Sequence, residues 1–442
     1  MTYAGHHAAS APATPFHLAW FCSFATDAWS GTWGAGGDVW DGEFFIELAK
    51  DLERACFDYV VLEDKLMVSS VYGGTMEADL KHGVAPKHDP APLAALMSYC
   101  TKRLGIVATM STSFYPPWML ARLAATIDHI SKGRFGWNIV TSAEDLAAQN
   151  FGSTQLLEHD LRYDIADEYL DLVTKLWGSW DADAIVKDRV RNVYAEHTKV
   201  HPIHFEGRFH KSRGPLNTIR PPQGRPVLCQ AGASPKGRSF AAKHADTIVA
   251  LGNTVEAMRA YRDDIHDRMR KHGRDPGECK ILFLVTPVVD ETDDGARRKV
   301  ERWITDPQYI ENLLAELSSI TGVDFSRFDL DQPLPPLQTN GERGTLEQFT
   351  QAGSGKNLRD LITLSLVKTV DLVGSPDTVA ERMGEIMTDV GGDGFLITSP
   401  RMHFDRRYIT EITDGLVPAL QRRGLTRTNY THNLFRDNLL EY

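Results

Sequence analysis

Short runs of apolar residues recur along the chain and are separated by segments in which apolar and polar residues follow the period of an α-helix. Most runs are continuous in valine, isoleucine, leucine and alanine, which is typical of strands that are covered on both faces. The pattern therefore predicts a parallel sheet with helices outside it. The eight candidate strands are residues 17–24, 57–63, 104–111, 135–141, 226–231, 247–251, 280–289 and 394–399.

Amphipathic segments lie between these runs. Segment 43–55 repeats apolar residues with a period close to 3.6, and Pro117–Ile130 does the same, so both are predicted to be helices. Eight strands that each precede a helix predict an α/β protein with a (β/α)8 barrel, the TIM-barrel fold, because an open doubly wound sheet usually has fewer strands. Short apolar runs also occur in buried helices, and the strand count depends on that distinction.

The chain is longer than such a barrel needs. A TIM barrel takes about 250 residues, whereas this chain has 442. Residues 1–16, rich in alanine, proline, histidine and serine, are predicted to form a flexible N-terminal tail. Residues 17–442 are then a single barrel domain with insertions near residues 68–90, 184–222 and 306–357. Insertions of this length in a compact domain are usually lids or binding loops.

The net charge of the chain limits the classes of partner that it is expected to bind. Lys and Arg total 48 and Asp and Glu total 59, for a formal net charge of −11. A chain this acidic is not expected to bind nucleic acid or an anionic membrane. The five cysteines are odd in number and far apart, without a C-x-x-C pair, which argues against a disulfide framework. Since no signal-peptide pattern and no apolar window of about 18 residues is found, we expect a protein of the reducing cytoplasm.

Short polar side chains are concentrated where the predicted strands end. In a TIM barrel the loops after the strands build the active site, so these residues are candidates to contact a ligand. Singly they mean little, because Asp64 can be a helix cap and Thr109 suits a strand by propensity. Several uncharged donors that converge on one barrel mouth suit a planar polar ligand better than they suit packing. The set is Asp64, Thr109, Ser111, Thr112, Asn138, Thr141, Ser142, Gln230, Gly232 and Ser234.

The end of the fifth predicted strand, QAGASPKGR, has the features of an anion-binding loop. Glycine allows the backbone to approach a ligand closely, and a helix that begins at about residues 234–237 would direct free N–H groups at a phosphate. The spacing matches neither a P-loop nor a dinucleotide-binding motif. In the helical segment LEHDLRYD, His159 and Tyr163 share one face, although such a pair is also common in packing.

The sequence gives little support to other classes of enzyme. The 16 histidines include a loose group at His201, His204 and His210, but no HExxH or H-x-H pattern is present, and we expect no metal site. The G-x-S-x-G elbow of serine hydrolases is absent as well. A glycosidase would need two carboxylates at strand ends, and only Asp64 is clearly placed.

Longer stretches of the chain resemble the bacterial-luciferase-like, flavin-dependent monooxygenases, in the branch that contains nitrilotriacetate monooxygenase and dibenzothiophene sulfone monooxygenase. The resemblance runs from about residue 17 to residue 440 and keeps the order of the segments. The family fold is an eight-stranded barrel with insertions, in agreement with the strand count. The matching stretches are HLAWF, LERACFDYVVLED, LGIVATMSTSFYPPWMLARLAATIDHISKGRFGWNIVTS, NFG, LEHDLRYDIADEYLDLVTKLWGSW, RGPLN, PPQGRPVLCQAGASPKGRSFAAKHAD, GSPDTVAERM and DGFLITSP.

The resemblance implies an FMN site and a reaction. In the two-component systems of this family, a separate NAD(P)H-dependent flavin reductase supplies FMNH2, O2 adds to it to form a flavin peroxide, and a small organic substrate is oxidised. The cofactor then performs the difficult step, few side chains need act as acid or base, and no catalytic residue is assigned. The implied phosphate ligands are Ser234, its neighbouring amides and Tyr163. The full set of implied FMN-binding residues is Asp64, Thr109, Asn138, His159, Tyr163 and Ser234.

The substrate side of the site departs from the family pattern. The branch often has W-R-H after the first strand, where this chain has TWGAGGDVW, and Asp89-Pro90 stands where an E-P pair is common. The substrate is therefore not carried over from any relative, and an aromatic, sulfone-like or other xenobiotic molecule is the expected class. The residues expected to shape its pocket are Phe21, Trp29, Trp33, Phe114, Tyr115 and Ser142.

Two other hypotheses stay open. The chain can be a flavin-binding relative without oxygenase activity, a store or sensor, which steady NADH-linked product formation would exclude. A metal-dependent barrel hydrolase would contain stoichiometric zinc or manganese. Members of the resembling family form homodimers or dimers of dimers, so a homodimer or homotetramer is expected. The polar C-terminal stretch 425–442 is expected to dock on the barrel or on a second subunit.

Overall fold

The computed structural model describes residues 15–23, 39–81, 83, 85–351, 357–366, 370–400 and 405–442. Trp29 and Trp33 lie outside the described residues, as do residues 1–14 of the expected tail. The strands in the described ranges are β1 (His17–Cys22), β2 (Tyr59–Leu62), β3 (Gly105–Ser111), β4 (Phe135–Val140), β5 (Ile185–Asp188), β6 (Val193–Ala195), β7 (Phe205–Glu206), β8 (Lys211–Ser212), β9 (Val227–Gln230), β10 (Thr247–Ala250), β11 (Lys280–Val285), β12 (Val288–Val289), β13 (Val373–Gly374) and β14 (Gly394–Thr398).

Eight of these strands form a closed parallel barrel in the order β1-β14-β11-β10-β9-β4-β3-β2. Each barrel strand lies within a segment that the sequence predicted to be a strand, which confirms the TIM-barrel prediction. The predicted strand 280–289 is interrupted, however. The strand β11 ends at Val285, and Pro287, which has no N–H group to donate, separates it from β12. The strand β12 leaves the barrel and pairs with β13.

Several helices, among them α3 and α4, pack against the barrel strands. Helices α1 and α4 occupy the predicted segments 43–55 and Pro117–Ile130. Among the described residues, no helix is both long enough and apolar enough to cross a membrane. The helices are α1 (Glu43–Arg54), α2 (Glu77–Lys81), α3 (Pro90–Cys100), α4 (Pro117–Ile130), α5 (Asp145–Asn150), α6 (His159–Trp177), α7 (Pro235–His244), α8 (Val255–Lys271), α9 (Asp293–Ile304), α10 (Pro307–Thr321), α11 (Arg343–Gln351), α12 (Leu358–Leu366), α13 (Pro376–Val390), α14 (Arg406–Thr410), α15 (Val417–Arg422) and α16 (Phe435–Leu439).

Alternate residues of the barrel strands fill the interior of the barrel. Tyr59 and Leu282 are fully buried there, and the Tyr59 hydroxyl lies 2.8 Å from Thr247 Oγ1. Phe21 and Leu284, nearer the C-terminal ends of their strands, are only partly buried. The interior is therefore packed at the N-terminal end and accessible at the C-terminal end, where the predicted site residues lie.

The C-terminal segment 425–442 closes the N-terminal end of the barrel. Phe435 is fully buried and occupies the space next to Gly105, the first residue of β3. Arg427 Nη2 forms an ion pair of 2.8 Å with Asp58 Oδ1, and both side chains are buried. The sequence left open whether this segment docks on the barrel or on a second subunit, and in the structure it docks on its own barrel.

The barrel core includes the last residue of the predicted tail. Phe16, the last residue of the expected tail 1–16, is only 1% exposed. Its N–H donates to the Leu425 carbonyl over 2.8 Å, and its ring meets Phe395 edge-on at a centroid distance of 5.3 Å. Phe16 therefore belongs to the barrel core, because an apolar side chain directly before a barrel strand can reach it.

The segments that the sequence predicted to be insertions have structure of their own. Residues 184–222 contain two antiparallel hairpins, β5–β6 and β7–β8. In residues 306–357, α10 and α11 pack with the following α12 in a hydrophobic cluster around Phe325. Helix α10 also contacts α2 of the segment 68–90, where Lys81 Nζ lies 2.6 Å from Glu311 Oε2. Two of the three segments therefore meet each other.

Candidate active site at the barrel mouth

Thr109 and Asn138 form the polar floor of the barrel mouth. They are paired in register on β3 and β4, and Asn138 Nδ2 donates to Thr109 Oγ1 over 2.9 Å. Both side chains are buried, and Asn138 Oδ1 has no hydrogen-bond partner among the described residues. A buried amide oxygen without a partner is costly, so this atom is positioned to accept a hydrogen bond from a ligand.

The β9–α7 turn leads into a helix that begins where the sequence predicted it, at Pro235. Ser234 is the N-cap of α7, and its Oγ accepts the Gly237 N–H over 3.0 Å. The Arg238 N–H donates to the Ser234 carbonyl, and Pro235 has no N–H, so the Lys236 N–H is left free among the described residues of the first turn. The helix N-terminus adds its positive dipole end.

Tyr163 connects α6 to this turn. A Cβ atom on Gly237 would lie only 2.8 Å from Tyr163 Oη, so glycine is required for the tyrosine to approach the helix N-terminus. Burial raises the pKa of Tyr163, while Arg162, Gln230 and Thr141 act in the opposite direction. Tyr163 and Ser234, far apart in the sequence, are thus brought together at one helix end.

Two residues that the sequence did not point to hold the turn in place. The Tyr261 hydroxyl donates to the Gly232 carbonyl over 2.8 Å. Arg238 Nε donates to the Ala233 carbonyl over 2.9 Å, and its guanidinium stacks over the Tyr261 ring at 4.8 Å. Both carbonyls are thereby occupied, and the Lys236 N–H remains free in this part of the described structure. No local motif could have identified Tyr261, because it comes from α8.

The N-terminal turn of α6 carries a buried cation next to Tyr163. Arg162 is 3% exposed, and its Nη1 donates to the Leu157 carbonyl over 2.6 Å. Its Nε has no partner among the described residues, and no carboxylate pairs with the guanidinium there. Burial lowers the pKa of Arg162. Because a buried charge is normally paired, this guanidinium is suited to an anionic ligand. The sequence reasoning missed it.

His159 lies on the same turn as expected. Its ring centroid is 5.2 Å from that of Tyr163, and its Nδ1 lies 2.7 Å from Asp160 Oδ1. Asp160 therefore orients the imidazole beside the tyrosine. Tyr163 thus lies beside the α7 N-terminus, with His159 and Arg162 near it at the start of α6.

Asp64 lies on a different part of the rim, after β2. Its Oδ1 accepts the Lys65 N–H over 2.9 Å. Burial, reinforced by the nearby charge of Asp89, raises the pKa of Asp64 to about 7. Tyr115 is beside both carboxyls, and burial together with them raises its pKa to about 12. Asp89, one of the departures from the family pattern, is the N-cap of α3.

The remaining substrate-side candidates are dispersed. Ser142 Oγ lies 2.7 Å from Ser111 Oγ, with Ser142 in the left-handed region at φ 59°. Phe114 stacks on Phe151 with their ring centroids 4.2 Å apart. Phe21 contributes to the floor, and Trp33 is outside the described residues. The structure therefore brings together the flavin-side candidates more closely than the substrate-side ones.

These residues fit the FMN that the resemblance implies. The α7 N-terminus, Tyr163 and Arg162 offer a dipole, a hydroxyl and a cation to a phosphate. Asn138 Oδ1 offers an unfilled acceptor to a ring N–H. Among the described residues, no group of three or more His, Cys, Asp or Glu side chains could hold a metal ion.

Comparison with known proteins gives a consistent result. Residues 16–394 match the family model described as luciferase-like monooxygenase. The chain is 37% identical over 439 residues to dibenzothiophene-sulfone monooxygenase of Rhodococcus erythropolis (strain XP), covering 96% of both chains. It is 32% identical to nitrilotriacetate monooxygenase component A of Aminobacter aminovorans, covering 90% of each. The crystal structure of DmoA from Hyphomicrobium sulfonivorans superposes with a TM-score of 0.86 at 31% identity, covering 97% of this chain and 93% of that one.

Proposed function

This chain belongs to the luciferase-like monooxygenase family, and from that premise we propose that it is the oxygenating component of a two-component system. It binds FMNH2 from a separate NAD(P)H-dependent flavin reductase and uses O2 to oxidise a small organic substrate. The relative from Aminobacter aminovorans is itself named as a component A, which supports the two-component arrangement.

The observation that carries the proposal is a pair of buried polar groups without hydrogen-bond partners in the described structure, one on β4 and one on α6. These atoms are Asn138 Oδ1 on the floor and Arg162 Nε, which lies next to Tyr163 in the first turn of α6. The first suits the edge of a flavin ring, and the second suits its phosphate. A flavin mononucleotide satisfies both groups at once, whereas a neutral flavin would leave the arginine unpaired.

The phosphate end would be held by Ser234, Tyr163, Arg162 and the Lys236 amide. His159 supports Tyr163 from the side, at a ring distance of 5.2 Å. The ring end would rest on Thr109 and Asn138. When bound, the reduced flavin supplies the electrons that activate O2. The chain's own residues bind and orient it.

Exclusion of water is the other task of the chain. The start of α11 lies against the α7 turn, because any side chain on Gly344 would collide with Ala233. Arg162 Nη2 also donates to the Asn340 carbonyl over 3.4 Å. The insertion 306–357 therefore covers the phosphate side of the mouth, and such cover protects reactive intermediates from water.

The test is anaerobic titration of the protein with FMNH2, followed by a reductase-coupled assay with NADH and O2. Ser234→Ala and Tyr163→Phe are each expected to weaken FMNH2 binding by about tenfold, the value of one charge-assisted hydrogen bond. Ser239→Ala, on the same helix but away from its N-terminus, is the matched control and is expected to bind normally. Absence of binding at micromolar FMNH2 would overturn the proposal, and binding without any oxygenated product would favour a flavin store or sensor.

The proposal also covers the oligomeric state of the protein and its cellular compartment. We expect a homodimer or homotetramer, which size-exclusion chromatography with light scattering distinguishes. All five cysteines are free thiols, which supports the reducing cytoplasm expected from the sequence.

A further inference from the structure

A cavity of about 300 Å³ lies at the N-terminal end of the barrel. Its wall includes Arg225 before β9, Asp246 before β10 and Glu278 before β11, together with Arg436 of α16. Residues that precede the strands of a parallel barrel lie at the end opposite the loops that build an active site. The cavity is therefore separate from the mouth, where the flavin residues lie.

The charged side chains in the wall of this cavity are mostly cationic. Leu228 and Leu440 add apolar surface, and Thr174 adds a hydroxyl. The four cationic residues are Arg225, Lys243, Arg274 and Arg436, and the two acidic ones are Asp246 and Glu278. The wall thus has an excess of positive charge, although the whole chain has a formal net charge of −11.

The two arginines beside the barrel share one carboxylate. Arg225 Nη1 and Nη2 donate to the two oxygens of Asp246 over 2.7 and 2.8 Å, and Arg436 Nη1 donates to Asp246 Oδ1 over 2.8 Å. The Leu228 N–H also donates to Asp246 Oδ2 over 2.8 Å. This carboxylate therefore accepts from two guanidinium groups and a backbone amide, and its single charge offsets only one of the two positive charges.

Both of these arginines keep an N–H group for a ligand. Their remaining hydrogen bonds go from Nη atoms to backbone carbonyls, and no acceptor among the described residues is bonded to Nε of Arg225 or of Arg436. Their side chains are 29% and 21% exposed, so the guanidinium groups are accessible from the cavity that they line. A guanidinium with an unused donor suits an oxygen of a carboxylate, phosphate or sulfate.

Arg274 adds positive charge from the loop between α8 and β11. Its Nη1 and Nη2 donate to the Ala242 and Ala245 carbonyls over 3.0 and 2.9 Å, which fixes the guanidinium at the C-terminal end of α7. Its carboxylate partner Glu278, at 3.3 Å, is 56% exposed. Such an exposed partner offsets the charge only weakly.

Lys243 adds a fourth cation from the last turn of α7. Its Nζ lies 2.6 Å from Asp167 Oδ2, and His244 Nε2 lies 2.6 Å from the other oxygen of the same carboxylate. Burial and the charge of Lys243 lower the pKa of the neighbouring His272, although Asp167 acts in the opposite direction. This direction agrees with an excess of positive charge at this end of α7.

We propose that this cavity binds a phosphate or sulfate group, either as the free ion or as the charged end of a small organic molecule. The cationic side chains come from α7, from α16 and from the loops before β9 and β11. A tetrahedral oxyanion can accept from several sides at once, whereas a carboxylate presents two oxygens in one plane. The volume of about 300 Å³ is at the lower end of the range for small-molecule pockets, and the two leucines leave room for a short organic group.

The site goes beyond the proposed monooxygenase function and does not depend on it. The cavity lies at the opposite end of α7 from Ser234. A helix of ten residues separates these two positions by about 15 Å. An anion in the cavity and the phosphate of a flavin would therefore occupy different places.

The test is isothermal titration calorimetry of the full chain with inorganic phosphate, sulfate and phenyl phosphate. A salt concentration of about 0.1 M screens weak long-range attraction. At least one of the three is expected to bind with a Kd below about 1 mM. Tighter binding of phenyl phosphate would identify an organic phosphate as the ligand, and tighter binding of either inorganic ion would identify the free ion.

Lys243→Gln and Arg274→Gln each remove one cation from the wall and are each expected to weaken this binding about tenfold. Lys243 is 43% exposed, so its replacement leaves the fold intact and decides the test even if Arg274→Gln is unstable. Lys175→Gln is the matched control, because Lys175 is 51% exposed, pairs with Asp171 and does not line the cavity. It is expected to bind the ion as the unaltered protein does.

Ser234→Ala separates the cavity from the flavin site and is expected to leave this binding unchanged. A loss in Ser234→Ala without a loss in Lys243→Gln would place the ion at the other end of α7 and overturn the inference. Absence of binding of all three ions at about 10 mM, or the same affinity in Lys243→Gln as in the unaltered protein, would overturn it as well. FMNH2 binding is measured on its own, so failure of the monooxygenase proposal would be seen separately.

Discussion

Replacement of Phe435 by alanine tests whether the C-terminal segment holds the barrel together. The ring is fully buried, lies 5.3 Å from the Tyr59 ring, and fills the space between Gly105 and Gly136. Truncation of a buried phenylalanine costs about 3–5 kcal/mol. Since whole proteins are stable by about 5–15 kcal/mol, this one substitution should remove a large part of the total.

The measurement is urea denaturation followed by circular dichroism. With an m-value of about 3 kcal/mol per molar, Phe435→Ala should lower the midpoint by about 1–1.7 M. Leu440→Ala, five residues later in the same segment at a side chain 41% exposed, is the control and should shift it by less than about 0.3 M.

Gly105 provides a sharper test of the same contact. A Cβ atom there would lie 2.7 Å from the Phe435 ring, so Gly105→Ala should destabilise the unaltered protein by about 1–3 kcal/mol through overpacking. In the Phe435→Ala background the new methyl group has room, and the cost should fall close to zero. A double-mutant cycle in which the two substitutions are simply additive would refute the proposed packing.

Three further predictions concern charged groups around the site. Arg162→Gln should weaken FMN binding about 10- to 100-fold while riboflavin, which has no phosphate, is bound as before; equal losses in fluorescence titrations with the two flavins would contradict this role. Asp64 has a pKa of about 7 when folded against an ordinary 3.8, so the unfolded chain loses its proton first and stability should fall as pH rises from about 4 to 7. Asp64→Asn should lack this contribution in urea melts across that range, and parallel pH curves would exclude it. Lys65→Met removes the buried cation that pairs with Glu316 and Asp79, and should lower the stability by about 3 kcal/mol. Proteolysis within residues 306–357 should then be faster. An unchanged cleavage rate would show that the lysine does not hold the insertion.

The barrel could be predicted from the sequence because its strands are short, continuous apolar runs. Each of the eight observed barrel strands falls inside a predicted run, and the run 280–289 is broken at Pro287. The small hairpins in 184–222 were not predicted, since strands of two to four residues are fixed by tertiary contacts rather than by local pattern.

The candidate site likewise contains residues that a sequence pattern can indicate and residues whose position depends on long-range packing. The Ser234 cap and the Thr109–Asn138 pair follow from local geometry and strand register, both of which a sequence pattern can indicate. Arg162 could not be identified from such a pattern. Its unusual feature is that it is buried without a paired carboxylate in the described structure, and one of its hydrogen-bond acceptors, the Asn340 carbonyl, is 178 residues away.

The separate hydrophobic cluster around Phe325 has a consequence for protein engineering. Helices α10, α11 and α12 bury their apolar faces mainly against one another, and their polar attachments to the rest of the chain include Lys81–Glu311, Lys65–Glu316 and the Arg162–Asn340 hydrogen bond. A graft of this block from a homologue would leave the barrel core intact as long as these few attachments are kept. Exchange of this block would therefore vary the cover of the barrel mouth without repacking the barrel, provided that its hydrogen bond to Arg162, a proposed flavin ligand, is kept.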